Sequence, residues 1–202
     1  MRQLAPLFLL LAACTDSTGG KQAANDGTTS ADTAPAAPAG VAGTPAASAA
    51  DTECVFEFSA TPTCSYVEGS LSIQLTLVTR KIADNEIELP EAMVALEGKQ
   101  HRLSLSADTS MTDGNKGSVL FDDISFDGMP DLAVSTSFGT ANQYLDYWIY
   151  DPAAKEYVFV GNFPRLVPDP ATKTLQADVR MNAASYETQV YAVVGNKLEL
   201  KK

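Results

Sequence analysis

The chain has 202 residues, which suits one domain, with 25 acidic against 14 basic residues and a formal net charge of -11. That acidity argues against nucleic acid and anionic lipid surfaces as partners. It suits a cationic protein or a metal ion.

The N-terminus reads as a targeting segment. Arg2 precedes an apolar run from Leu4 to Ala13, broken only by Pro6, and Cys14 follows. A charged start, a short apolar stretch and small residues predict a signal peptide over residues 1–13. The run is too short to span a bilayer as a helix. Leu11-Ala12-Ala13-Cys14 resembles the bacterial lipobox, which implies cleavage before Cys14 and its lipidation. Thr15, not Asp, follows the Cys. That suits a periplasmic lipoprotein sorted to the outer membrane.

Residues 14–51 are dominated by Ala, Thr, Ser, Gly and Pro, and Val41 is their only large aliphatic residue. Such a stretch cannot bury enough apolar surface to offset the entropy of ordering it. It predicts a disordered tether with a reach of about 35 Å, and residues 52–202 form the domain. The signal carries +1 and the tether -3, which leaves -9 on the domain. With Cys14 assigned to lipid, Cys54 and Cys64 remain in an exported chain, and a disulfide between them is expected.

Beyond the cysteines the pattern has period two. Val55–Phe58 reads as a first strand, and Leu71, Ile73, Leu75 and Leu77 alternate with polar residues. Residues 92–96 and 102–105 form a hairpin, and residues 108–116 are polar and read as a long loop. Further strands are expected at 118–121, 132–136, 144–150, 157–160, 174–179, 187–194 and 198–200, the last two joined across Gly195-Asn196 as a type II′ turn. No stretch keeps a helical period, so the fold expected is all-β: a sandwich, a barrel or a propeller-like arrangement.

The most informative stretch is Asp122-Asp123-Ile124-Ser125-Phe126-Asp127-Gly128-Met129-Pro130-Asp131-Leu132. Counting from Asp123, side-chain oxygens recur at the first, third, fifth and ninth positions, and a glycine follows the fifth. This is the spacing of the front half of an EF-hand loop. It predicts one Ca²⁺ held by Asp123, Ser125, Asp127, Asp131 and the carbonyl of Met129. Val134 stands where the closing Glu belongs, and the flanks read as strands instead of helices. The alternative is a metal-free Asp/Gly turn.

Taken with Tyr147-Trp148-Ile149-Tyr150-Asp151-Pro152, with Val167 to Leu175 and with the closing hairpin from Tyr191 to Leu200, the calcium stretch resembles the FG-GAP-like periplasmic lipoproteins of xanthomonads and their relatives. Some of that family are immunity proteins for bacteria-killing type IV secretion systems, and neutralise lysozyme-like peptidoglycan hydrolases. The resemblance runs from about Ser118 to the C-terminus and implies a propeller-like β fold, one structural Ca²⁺ and a loop that enters the cleft of the hydrolase. The matching loop is Gly139 to Tyr144, with Asn142 and Tyr144 as expected contacts and Tyr144 at the tip. Where family members often carry His near the final hairpin, this chain has Ala184-Ser185-Tyr186, so a contact from that side falls to Tyr186.

Two other readings stay open. A calcium-stabilised adhesion or scaffold lipoprotein would bind a surface glycan or protein through the same fold. An enzyme is not expected: His101 is the only histidine, and neither a Gly-x-Ser-x-Gly elbow nor a metal-hydrolase His pair is present. A glycosidase needs only two carboxylates, which the chain has in plenty.

Overall fold

The computed structural model describes residues 52–59, 61–138 and 141–201. The signal segment, Cys14 and the tether lie outside the described residues, as do Gly139 and Thr140 of the expected contact loop.

The described residues form strands joined by turns and irregular segments, with no helix. In chain order the strands are β1 (Glu53–Glu57), β2 (Thr63–Glu68), β3 (Leu71–Ala83), β4 (Glu86–Leu96), β5 (Lys99–Ser104), β6 (Ser110–Thr112), β7 (Lys116–Leu120), β8 (Leu132–Ser135), β9 (Tyr144–Asp151), β10 (Glu156–Pro164), β11 (Val167–Asp169), β12 (Thr174–Arg180), β13 (Tyr186–Val193) and β14 (Leu198–Leu200). All their pairings are antiparallel. They make three sheets: β2-β3-β4-β5 with β6 also on β4, then β1-β7-β8-β9-β10, then β11-β12-β13-β14.

The second sheet lies between the other two, and its side-chain alternation explains why. Val119, Phe121, Leu132, Val134, Trp148 and Tyr150 face one core with Ile73, Leu75, Leu77, Val94 and Met111 of the first sheet. The residues between them, Leu120, Ala133, Leu145, Tyr147 and Ile149, face a second core with Leu175, Ala177, Val179 and Tyr191 of the third. Successive side chains of a strand point to opposite faces. A sheet covered on both sides therefore needs near-continuous apolar strands, and Leu132–Ser135 is buried throughout.

Two junctions depart from the sequence expectations. β4 runs through Pro90, a residue that ordinarily ends or edges a strand. On one side β6 pairs with Glu86–Glu88 and β5 only from Glu91 onward; on the other, the β3 ladder shifts register between Val78 and Arg80. Pro90 thus sits in a gap of both ladders, where its missing N–H removes no strand-ladder bond. Residues 108–116, expected as loop, contain β6 and the start of β7. The Cys54–Cys64 disulfide is formed and joins β1 of the central sheet to β2 of the first.

Candidate functional site

The connection from β7 to β8 carries the EF-hand-like spacing, and its apolar residues root it in both cores. Ile124 is buried in the second core with Phe126 packed beside it, while Met129 packs against the first. Phe126 and Gly128, the fourth and sixth positions, have φ of 61° and 89°. Left-handed residues at alternate positions coil the chain back on itself, and at the sixth a glycine adopts that conformation without steric cost.

The coil is held by its own carboxylates. Asp123 accepts the backbone N–H of Asp127 at 3.0 Å and of Gly128 at 2.9 Å, and lies 3.4 Å from the Ser125 hydroxyl. Asp127 accepts the N–H of Met129 at 2.8 Å. Asp131, 1% exposed, accepts the N–H of Ser125 at 2.8 Å with one oxygen and that of Tyr150 on β9 at 2.8 Å with the other. Burial pushes the Asp131 carboxyl up to about 7; the two N–H groups and the Ser125 hydroxyl pull it down, and the nearby Asp127 carboxylate raises it further.

For Ca²⁺ the donor chemistry fits: carboxylates, a hydroxyl and a carbonyl are hard oxygens. The gathering of the donors is less complete. Among the described residues no group of three or more His, Cys, Asp or Glu side chains is placed to hold a metal ion. Asp123 and Ser125 come together, Asp127 is exposed, and Asp131 spends both oxygens on backbone N–H groups.

The three expected contact residues lie at one end of the molecule. Asn142 fastens the loop before β9 to the end of β12: its Nδ2 donates to the Arg180 carbonyl at 3.1 Å, and its Oδ1 accepts the Arg180 N–H at 2.8 Å. Arg180 pairs across the hairpin with Tyr186, which is 68% exposed. The turn between them is braced by the Arg180 guanidinium, which donates to the carbonyls of Asn182 at 3.0 Å and Ala183 at 3.2 Å. Tyr144 differs from its expected place. It is the first residue of β9, half-buried and paired with Pro164, so it belongs to the strand and not to a loop tip.

Sequence reasoning did not foresee the Asn142–Arg180 clasp, because the partners are 38 residues apart and nothing local couples them. It also missed Met181, 57% exposed beside Tyr186, whose signal was an apolar residue stranded in a polar turn. Comparison with family models, curated proteins and solved structures returns no match.

Proposed function

We propose that the protein is a periplasmic immunity lipoprotein, anchored through Cys14, that inhibits a lysozyme-like peptidoglycan hydrolase by blocking its cleft. The observation that carries the reading is the clasp. Asn142 ties the expected contact loop to the Arg180-braced turn, and that turn leaves Tyr186 and Met181 more than half exposed. A braced element loses little entropy on binding, and exposed Tyr side chains often dominate an interface. The domain charge of -9 would speed encounter with a basic enzyme. The reading extends to a propeller-like relation among the three stacked antiparallel sheets, and the resemblance of residues 118–202 to the FG-GAP-like lipoproteins supports both.

The experiment measures loss of peptidoglycan turbidity by a basic lysozyme-like hydrolase, taken from a neighbouring gene where one encodes such an enzyme, with and without the protein. The intact protein in molar excess is expected to stop hydrolysis. Tyr186→Ala is expected to weaken inhibition by about thirtyfold, the equivalent of about 2 kcal/mol. Unimpaired hydrolysis with the intact protein would leave the adhesion or scaffold reading in its place.

The same reading includes one structural Ca²⁺ at Asp123, Ser125, Asp127, Asp131 and the Met129 carbonyl. What supports it is the all-oxygen donor set on a coil rooted in both cores. A cation bound only by the folded state raises stability by about 2.7 kcal/mol at a hundredfold excess over Kd. Chelation should therefore lower the melting temperature, and Asp127→Ala, at an exposed position, should lose most of that response. A melting curve indifferent to chelator, with no metal by elemental analysis, would remove the ion from the proposal.

A further inference from the structure

A groove of about 410 Å³ runs between β5 and β10, the edge strands of the first and central sheets. That volume is within the range of ligand sites. It is lined by Trp148, Tyr157 and Phe159 on one side and by Arg102, Ser104 and Ser106 on the other. Phe159 is 49% exposed and its ring lies 5.5 Å from that of Trp148. Tyr157 is more than nine-tenths buried, with its ring 5.1 Å from that of Tyr150 in the first core. At the Ser106 end stands a polar cluster. The Ser106 hydroxyl and the exposed Asn162 amide both donate to one oxygen of Asp146, at 2.6 and 2.8 Å, and Asn162 also donates to the Thr136 hydroxyl at 2.8 Å.

We infer that this groove binds a glycan chain of neutral pyranose units, with one ring stacked on Phe159. A pyranose presents a C–H face and a rim of hydroxyls. The groove offers an aromatic face beside the Ser104 and Ser106 hydroxyls and the Arg102 guanidinium. A peptide adding to the β10 edge is disfavoured, because the ladder there is irregular between Phe159 and Gly161, and such a bulge interrupts the row of main-chain groups that a new strand needs. An anionic glycan is disfavoured by a domain charge of -9. The inference uses none of the residues of the proposed inhibitory surface and does not rest on that function.

Trp148 is the only tryptophan of the chain, so its emission reports on the groove directly. The full chain is titrated with chitotetraose in its neutral, fully N-acetylated form, with tetragalacturonate as the anionic control. A saturable change with chitotetraose and a weaker one with the uronate are expected. Phe159→Ala should raise Kd at least about tenfold, while Val67→Ser, at an exposed site on β2, should leave it unchanged. Should Phe159→Ala fail to fold, Arg102→Ala decides instead, with a rise in Kd again expected; that side chain is 69% exposed and its variant leaves the core intact. No change in emission together with no bound chitotetraose in equilibrium dialysis overturns the inference. So does undiminished binding by the Phe159 variant, or saturation by an extended peptide in place of the sugar.

Discussion

The two faces of the central sheet are fastened in different ways. Toward the first sheet the core is large, built from residues of β1 through β10, and its flank is closed covalently by Cys54–Cys64. Toward the third sheet the core is smaller, and polar groups do the fastening. The Tyr147 hydroxyl, in a residue 1% exposed, accepts the N–H of Leu166 at 2.8 Å and donates to the Pro164 carbonyl at 3.4 Å, and Asn142 clasps Arg180. The expected contact residues Asn142 and Tyr186 belong to the second seam, with Tyr144 beside them. Covalent closure and candidate contact surface are thus kept apart.

The largest test asks whether the seams are one cooperative unit. Leu75 and Leu175 are both 0% exposed, one in each core. Truncation of either to Ala should cost about 2–5 kcal/mol by denaturant unfolding, with a single transition and unchanged slope, because the central sheet is shared. An early, separate phase in Leu175→Ala alone would break the comparison into two folding units. Next in size is the disulfide. Its ends are 10 residues apart, and opening so short a loop should cost about 2–3 kcal/mol. Unfolding with and without reductant measures this, and a Cys54→Ala, Cys64→Ala variant should show no reductant effect. The polar seam is probed by Tyr147→Phe, which leaves the Leu166 N–H buried without its partner. A loss of about 1–3 kcal/mol is expected in the same unfolding experiment, as a shift of the midpoint with the slope unchanged. A loss near zero would mean that packing alone holds the second seam.

How much of this was legible in the sequence follows from the same asymmetry. The half-buried strand β3 announced itself by period two from Leu71 to Leu77, since one of its faces meets water. Tyr144 to Tyr150 was recognisable as a strand, but its two faces carry different cores, and no period separates them in the sequence. β2 was missed because only Cys64 and Tyr66 of its six residues are buried. The first part of β4 was hidden by Pro90, whose tolerance depends on three other strands. In the candidate site, the coil from Asp123 to Asp131 was readable because its spacing is local. The use of Asp131 to bind Tyr150, 19 residues on, was not.

The smallest expected effect concerns a tie that crosses from one region to the other. Arg165, between β10 and β11, donates to both oxygens of Glu53 on β1 at 2.8 and 2.7 Å, and the Ser118 hydroxyl donates to one of them at 2.7 Å. The Arg165 guanidinium holds the Glu53 carboxyl down to about 2, against a partial opposing effect of burial and with help from Ser118. A carboxyl lowered on folding contributes stability that is fully present above its unfolded value of about 4.5 and is lost as pH falls through about 2. Both side chains are about a third exposed, at 34% and 39%, so solvent screens the pair, and its worth is about 1 kcal/mol or less. Comparing the intact protein with Glu53→Gln isolates the pair from all other titrations. The intact protein should be the more stable by about 0.5–1 kcal/mol at pH 6. That difference should shrink below pH 4 and be nearly gone at pH 2. It should also fall in 1 M salt, where screening shortens to about 3 Å. A difference that is constant from pH 6 to pH 2 would show that Glu53 acts through shape and hydrogen bonding, and that no charge links the first strand to the third-sheet side.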